Sequence, residues 1–119
     1  MAKIQRYEDL IAWQQAYEIV IKVYQATKNF PQDERFGLTQ QVQRAAVSIP
    51  SNIAEGFGRH TRPDYLRFLD MARGSTYELQ TQMRIAHDLG YLDNPELMDK
   101  IEELERVLNG LIRALRSKN

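Results

Sequence analysis

Residues 41–59 read QVQRAAVSIPSNIAEGFGR, and this stretch is the most informative in the chain because it places a proline and a row of polar residues inside a helical pattern. Pro50 removes one backbone hydrogen bond and presses on the preceding turn, a cost of about 3 kcal/mol in a regular helix interior. Ser48, Ser51 and Asn52 are residue types that can bond the freed backbone groups. We therefore predict a helix over residues 34–56 that is kinked near Pro50; the alternative is a full break of the helix there. Its apolar positions are Leu38, Val42, Ala45, Ile49 and Ile53.

The polar side chains of this helix fall along one flank, beside the apolar stripe. Such a flank is usually half-buried, so we expect a structural hydrogen-bonded network with a further member on the third helix; the alternative is that each residue points to solvent. The glycines of Gly56-Phe57-Gly58 predict the helix end, where glycine can take the left-handed conformation. The candidate network residues are Arg44, Ser48, Asn52, Glu55 and Glu78.

The first helix, predicted over residues 9–28, carries two apolar stripes with the same period. We expect the first stripe, which holds the aromatic residues, to fill the core. The second lies about 100° further round the helix and needs another partner, either a helix of the same bundle or another subunit. The first stripe is Leu10, Trp13, Tyr17, Val20 and Tyr24; the second, a possible oligomer face, includes Ala12, Ala16, Ile19 and Val23.

Two further helices have well-marked starts. Thr61 and Pro63 are a cap and a first-turn proline for a helix over residues 62–89, and Asp93-Asn94-Pro95-Glu96 gives the cap of another over residues 95–116. Gly90 is expected to stop the third helix. Short connections join neighbouring helices antiparallel, so the sequence predicts an all-α, antiparallel up-down-up-down four-helix bundle, with residues 1–119 as a single domain.

Composition excludes several classes of function. The 119 residues are 43% hydrophobic and lack cysteine, so no disulfide framework, thiolate metal site or cysteine nucleophile is expected. The first residues lack the apolar segment of a signal peptide, and we expect a cytoplasmic, non-membrane protein. Net charge is zero, from 16 basic and 16 acidic residues, which does not indicate bulk attraction to nucleic acid or anionic lipid.

Catalytic and metal sites have little support in the sequence. A di-metal bundle needs inward glutamates and two Glu-x-x-His pairs, whereas His60 and His87 have no glutamate at that spacing. We therefore expect no enzyme activity, no metal and no cofactor. Nucleic-acid binding stays an alternative, because basic residues cluster around the connection between the second and third predicted helices and could contact phosphates. These candidates are Arg59, His60, Arg62 and Arg67.

The sequence resembles the bacterial 23S rRNA intervening-sequence proteins along nearly its whole length. The specific part is the Ser-Ile-Pro-Ser-Asn-Ile-Ala-Glu-Gly segment, residues 48–56, since leucine stripes would fit any bundle. The other matching residues are 7–13, Phe30-Pro31, 34–38, Gln41, 44–46, Gly74-Ser75 and Glu78-Leu79.

The resemblance implies a four-helix bundle that assembles as a homopentamer, is non-enzymatic and has a poorly defined cellular role. Members are often encoded within insertions in large-subunit ribosomal RNA genes, which does not establish binding to that RNA. A related branch, the accessory proteins of diversity-generating retroelements, works with a reverse transcriptase. Two functions therefore stay open: an oligomeric scaffold, with or without another protein partner, and an RNA- or DNA-binding accessory of a nucleic-acid enzyme.

Overall fold

The computed structural model describes residues 3–117, which form four α-helices and two short 3-10 helices. The long helices confirm the predicted fold class. Their starts lie two to four residues inside the predicted ones for the first two helices, where a 3-10 turn precedes each. Tyr7–Asp9 and Gln32–Glu34 are the 3-10 turns, and the helices are α1 (Ile11–Thr27), α2 (Leu38–Phe57), α3 (Arg62–Asp88) and α4 (Pro95–Arg116).

Each helix contacts its two neighbours around the bundle. Helix α2 packs most extensively on α3, and α1 packs on α2 and α4, whereas α1 and α3 make no contact within the described chain. Helices α1 and α3 are therefore diagonal, as the up-down-up-down order requires. The core between the four helices is aliphatic, and its fully buried larger side chains include Ile19, Ile49, Ile53, Leu69, Leu79, Met83, Leu104 and Leu108.

The helix starts follow from local hydrogen bonding. The Thr61 hydroxyl accepts from the Asp64 backbone N–H at 3.3 Å, and the Asn94 side chain accepts from the Leu97 N–H at 3.1 Å, which confirms both predicted caps. At the end of α3, Gly90 has a φ of 81°, and the following Tyr91 N–H donates to the Ala86 carbonyl at 2.9 Å. The left-handed glycine thus closes the helix as predicted.

The glycines at the end of α2 have a different role from the predicted one. No residue there has a positive φ, since Gly58 lies at −81°, so the predicted left-handed closure is wrong. Gly56 is buried, and a Cβ at that position would lie 2.7 Å from the Phe68 Cβ of α3. Glycine is needed at 56 because α2 and α3 approach too closely there for a side chain.

Candidate interaction surface

Helix α2 continues through the buried Pro50, and the polar residues around the proline bond to nearby carbonyls. The Ser51 hydroxyl donates to the Val47 carbonyl at 2.9 Å, and the Asn52 amide donates to the Ser48 carbonyl at 2.8 Å. The Ser48 hydroxyl also bonds to Ser75 on α3. These contacts hold α2 together at the proline and tie it to α3. The bend itself stays a prediction.

The charged members of the predicted network do not join it. Arg44, Glu55 and Glu78 are exposed, and Glu55 pairs with Arg59 one turn later on the same helix. The prediction of an internal charge network is wrong for these three residues, because the flank of α2 beside α3 is covered only as far as Ser48 and Asn52. Arg44 and Glu78 instead face one open cavity of about 350 Å³ on the surface between α2 and α3.

The two stripes of α1 are buried to different extents than the sequence predicts. On the predicted core stripe Leu10 is buried, Trp13 and Val20 are half-buried, and the two tyrosines are exposed. The predicted oligomer face lies in the core of the single chain, where Ala16 and Val23 are 0% exposed, so that assignment is wrong. On the predicted core stripe, Tyr17 is 52% and Tyr24 43% exposed. We call the residues Trp13, Tyr17, Val20, Ile21 and Tyr24 the aromatic stripe.

The aromatic stripe is ordered by contacts between its own rings. The Trp13 and Tyr17 rings stack with centroids 5.1 Å apart, and Tyr7 meets Trp13 edge-on at 5.3 Å. Trp13 and Val20 are half-buried against the core. The stripe is therefore a preformed surface of neighbouring aromatic and aliphatic side chains. Residue size is the sequence signal that could have identified it, since bulky rings fit poorly between closely packed helices.

The predicted basic residues do lie together at the turn between α2 and α3. The Arg59 and Arg67 guanidinium groups lie 4.5 Å and 4.7 Å from the centroid of the Phe68 ring. Each is also paired with an acid, Arg59 with Glu55 and Arg67 with Asp64. Arg62 and His60 are exposed nearby. The ring and the two acids hold the arginines in place, and the acids offset part of their positive charge.

Shifted pKa values in the described chain have local structural causes. Backbone N–H groups of Gln5 and Arg6 donate to the Asp9 carboxylate and lower its pKa. Burial raises the pKa of Tyr65. A hydrogen bond to Glu34 raises the pKa of Tyr91, and one to Glu103 raises the pKa of Arg106. These groups stand at separate places on the bundle and do not form a catalytic constellation.

The Glu34 bridge was not foreseen from the sequence. Its carboxylate accepts from the Tyr91 hydroxyl at 3.0 Å and from the Leu38 backbone N–H at 3.2 Å. It therefore joins the connection between α3 and α4 to the start of α2. The two side chains are 57 residues apart, and no local pattern signals such a pair.

Within residues 3–117, no three histidine, cysteine, aspartate or glutamate side chains lie together in a group that could hold a metal ion. His87 lies beside Asp88 at 3.3 Å and is exposed. One open groove between α3 and α4, of about 380 Å³, has Met83 and Ile101 among its lining residues. No helix in the described chain is long and apolar enough to cross a membrane.

These features define the class of protein: an all-α, antiparallel four-helix bundle whose distinctive feature is an exposed aromatic surface. Its sequence matches the family model of the 23S rRNA-intervening sequence protein over residues 8–112, and the chain belongs to that family. No curated protein matches the sequence.

A solved structure supports the same fold. A crystallised protein of unknown function from the S23 ribosomal protein family of Bacteroides thetaiotaomicron superposes with a TM-score of 0.80 at 18% sequence identity. The match covers 89% of this chain and 98% of that protein. At this identity the likeness extends to the fold alone.

Proposed function

We propose that the chain is a non-catalytic, homo-oligomeric scaffold of the bacterial cytoplasm, with a pentamer as the favoured assembly. The observation that carries the proposal is the aromatic stripe of α1. A stripe with a tryptophan and two tyrosines on a helix of a small bundle is typical of a protein interface, where aromatic residues contribute most to binding. The resemblance described above supplies the expected number of copies.

Light scattering on the purified chain tests the assembly. A particle of five times the 13.9 kDa chain mass at micromolar concentration is the expected result. A monomer at that concentration would contradict the proposal, and a different stable multiple would correct the number of copies only.

A matched pair of tyrosine variants tests the surface. Tyr24→Lys places a charge in the aromatic stripe and is expected to shift the particle toward monomer. Tyr77→Lys is the control, because Tyr77 is 42% exposed against 43% for Tyr24 and lies outside the stripe, on α3. Equal behaviour of the two variants would show that the stripe is not the interface.

Binding of RNA or DNA, as an accessory of an enzyme such as a reverse transcriptase, is the second candidate function. It is favoured by the two arginines fixed over Phe68 at the α2–α3 turn, which a closed ring would repeat around its axis. Stacked, preordered guanidinium groups suit phosphate contacts.

A gel shift of labelled RNA and DNA at low salt tests this candidate. Arg59→Glu/Arg67→Glu removes both guanidinium groups over Phe68 and is expected to weaken the shift. Lys28→Glu/Arg35→Glu makes the same change in net charge near the opposite end of the bundle. This control variant is expected to keep most of the gel shift. No shift for the unaltered protein at low salt would contradict nucleic-acid binding.

A further inference from the structure

Helix α3, diagonal to α1 in the bundle, carries a second exposed surface of mixed apolar and charged residues. The inference drawn from this surface rests on the proposed homo-oligomer. A ring of more than two copies needs two different surfaces on each chain, since one surface meets the other around the ring. The aromatic stripe supplies one of them. Because α1 and α3 are diagonal, a surface on α3 can be engaged at the same time.

Helix α3 carries a stripe of exposed residues that its core pattern does not explain. Met71, Ile85 and Leu89 are 46%, 44% and 55% exposed. With Glu78 they recur at steps of 7, 7 and 4, which keeps all four on one side of the helix. This side borders α2, since Glu78 shares a cavity with Arg44 and Ser48. We call Met71, Glu78, Ile85, Leu89 and Arg44 the α2–α3 face.

The centre of the α2–α3 face holds two opposite charges that the chain leaves unused. Within residues 3–117, neither Arg44 nor Glu78 forms a hydrogen bond or an ion pair, although both line one cavity of about 350 Å³. Elsewhere on α3, Arg67 and Arg73 each pair with a carboxylate three residues away. A site between a guanidinium and a carboxylate suits a neutral group that both donates and accepts a hydrogen bond, as a phenol does.

The aromatic stripe presents such a group at the matching position. The Tyr17 hydroxyl has no hydrogen bond within the described chain, and its side chain is about half exposed. Tyr17 lies near the middle of its stripe, as Glu78 does on the α2–α3 face. Aligned at their centres, the two surfaces place Tyr17 beside Glu78 and apolar side chains on both sides of that pair.

We infer that the aromatic stripe of one copy packs on the α2–α3 face of the next copy, with the Tyr17 hydroxyl between Arg44 and Glu78. The phenol donates to the Glu78 carboxylate and accepts from the Arg44 guanidinium. Tyr24 lies seven residues from Tyr17, level with an apolar residue seven residues from Glu78, either Met71 or Ile85, and Trp13 lies on the other side of the pair. The contact joins unlike surfaces and is repeated by every copy.

Cysteine crosslinking tests the contact directly, because the natural chain contains no cysteine. Tyr17→Cys and Glu78→Cys variants are mixed, allowed to exchange subunits and treated with a short bis-maleimide. The expected product is a covalent dimer that forms in the mixture and in neither variant alone. The control is Tyr17→Cys mixed with Tyr77→Cys, since residue 77 adjoins 78 but lies about 100° away around α3.

Hydroxyl deletion supplies a second measurement that keeps the rings in place. Tyr17→Phe is expected to weaken assembly by roughly tenfold or more, as for the loss of a hydrogen bond to a charged group. Tyr24→Phe is expected to assemble as the natural chain does. Dissociation constants from dilution light scattering compare the two.

Each outcome separates this inference from the proposed function. Assembled particles without a crosslink between residues 17 and 78, or with equal effects of the two phenylalanine variants, overturn the contact and leave the homo-oligomer standing. A monomeric natural chain overturns both. If nucleic acid or another protein occupies the α2–α3 face instead, the purified variants give no mixed dimer, and the contact is overturned in that case too.

Discussion

The two stripes of α1 have the same period and nearly the same number of apolar residues, yet the bundle treats them differently. The stripe of small and aliphatic residues is buried, with Ala16 and Val23 at 0% exposure, while the aromatic stripe remains largely outside. Helix axes in a bundle lie about 8–10 Å apart, which favours small side chains where helices meet. Side-chain size, and not hydrophobicity alone, therefore selects the buried side of α1.

The largest expected effect comes from removing side-chain volume from the buried stripe of α1. Ile19→Ala is expected to lower the free energy of unfolding by about 2–5 kcal/mol, because it empties space in a closely packed core. Ile19 is 1% exposed. Urea unfolding at fixed chain concentration measures the effect.

Ile11→Ala is the control for that experiment, since Ile11 is 63% exposed on the same helix and is changed in the same way. Its expected effect is within about 0.5 kcal/mol. A similar loss for the two variants would contradict the assignment of the buried side.

Adding volume tests the same comparison from the opposite direction. Ala16→Leu is expected to cost about 1–3 kcal/mol, because the enlarged side chain must push α1 away from its neighbours. Ala114→Leu on α4 makes the same change at an exposed position and is expected to be nearly neutral. Thermal melts of both variants compare them, and a neutral Ala16→Leu would break the argument from size.

Two glycines test whether the available volume also limits side-chain size at the contact between α2 and α3. Gly56→Ala brings a Cβ to 2.7 Å from that of Phe68 and is expected to cost about 1–3 kcal/mol. Gly74→Ala meets no atom within 4 Å and is expected to stabilise by about 0.5–1 kcal/mol through helix propensity. Opposite signs in chemical unfolding are the expected result. A loss at position 74 would mean that another helix approaches it in the assembly.

The smallest effect concerns Tyr91, whose hydroxyl donates a hydrogen bond to Glu34, whereas the Tyr17 and Tyr24 hydroxyls make no hydrogen bond within residues 3–117. The hydrogen bond to Glu34 raises the pKa of Tyr91 above its ordinary value near 10. Because the pKa of Tyr91 is higher in the folded state, the hydrogen bond stabilises the fold fully at pH values below the ordinary pKa of tyrosine. This stabilisation is lost as the pH rises through the pKa of the folded state. Glu34→Gln is expected to bring the pKa of Tyr91 down.

Phenolate absorbance measures that shift when each protein is compared with its Tyr91→Phe counterpart, which isolates one tyrosine among six. Serine variants of exposed residues elsewhere, such as Gln40→Ser, supply the control. An unchanged titration in Glu34→Gln would show that the bond is absent in solution.

Much of the fold follows from local sequence signals. The caps at Thr61 and Asn94 and the stop at Gly90 depend on residues within a few positions, so the starts and ends of α3 and α4 were predictable. The starts of α1 and α2 were predicted too early, because the 3-10 turns before them use the same polar and acidic residues that begin a helix.

The candidate surface was less predictable. Periodicity placed Arg44, Ser48 and Glu78 on sides that face one another, but how far α3 covers that flank depends on the distance between the helices. Ser48 reaches Ser75, whereas the two charged residues remain at the surface. Gly56 was likewise recognised as important for the wrong reason, since its contact with Phe68 is a property of the packed pair.

Four amphipathic helices, their order and the short connections that make neighbours antiparallel follow from the sequence, because they depend on hydrogen bonds and periodicity within each segment. The packing of the helices against one another sets which stripe of α1 is buried and which residues of α2 and α3 are left open. Periodicity gives the direction of a side chain around its own helix. The volume available there is set by the neighbouring helices, and that volume placed the alanines inside and the aromatic residues outside.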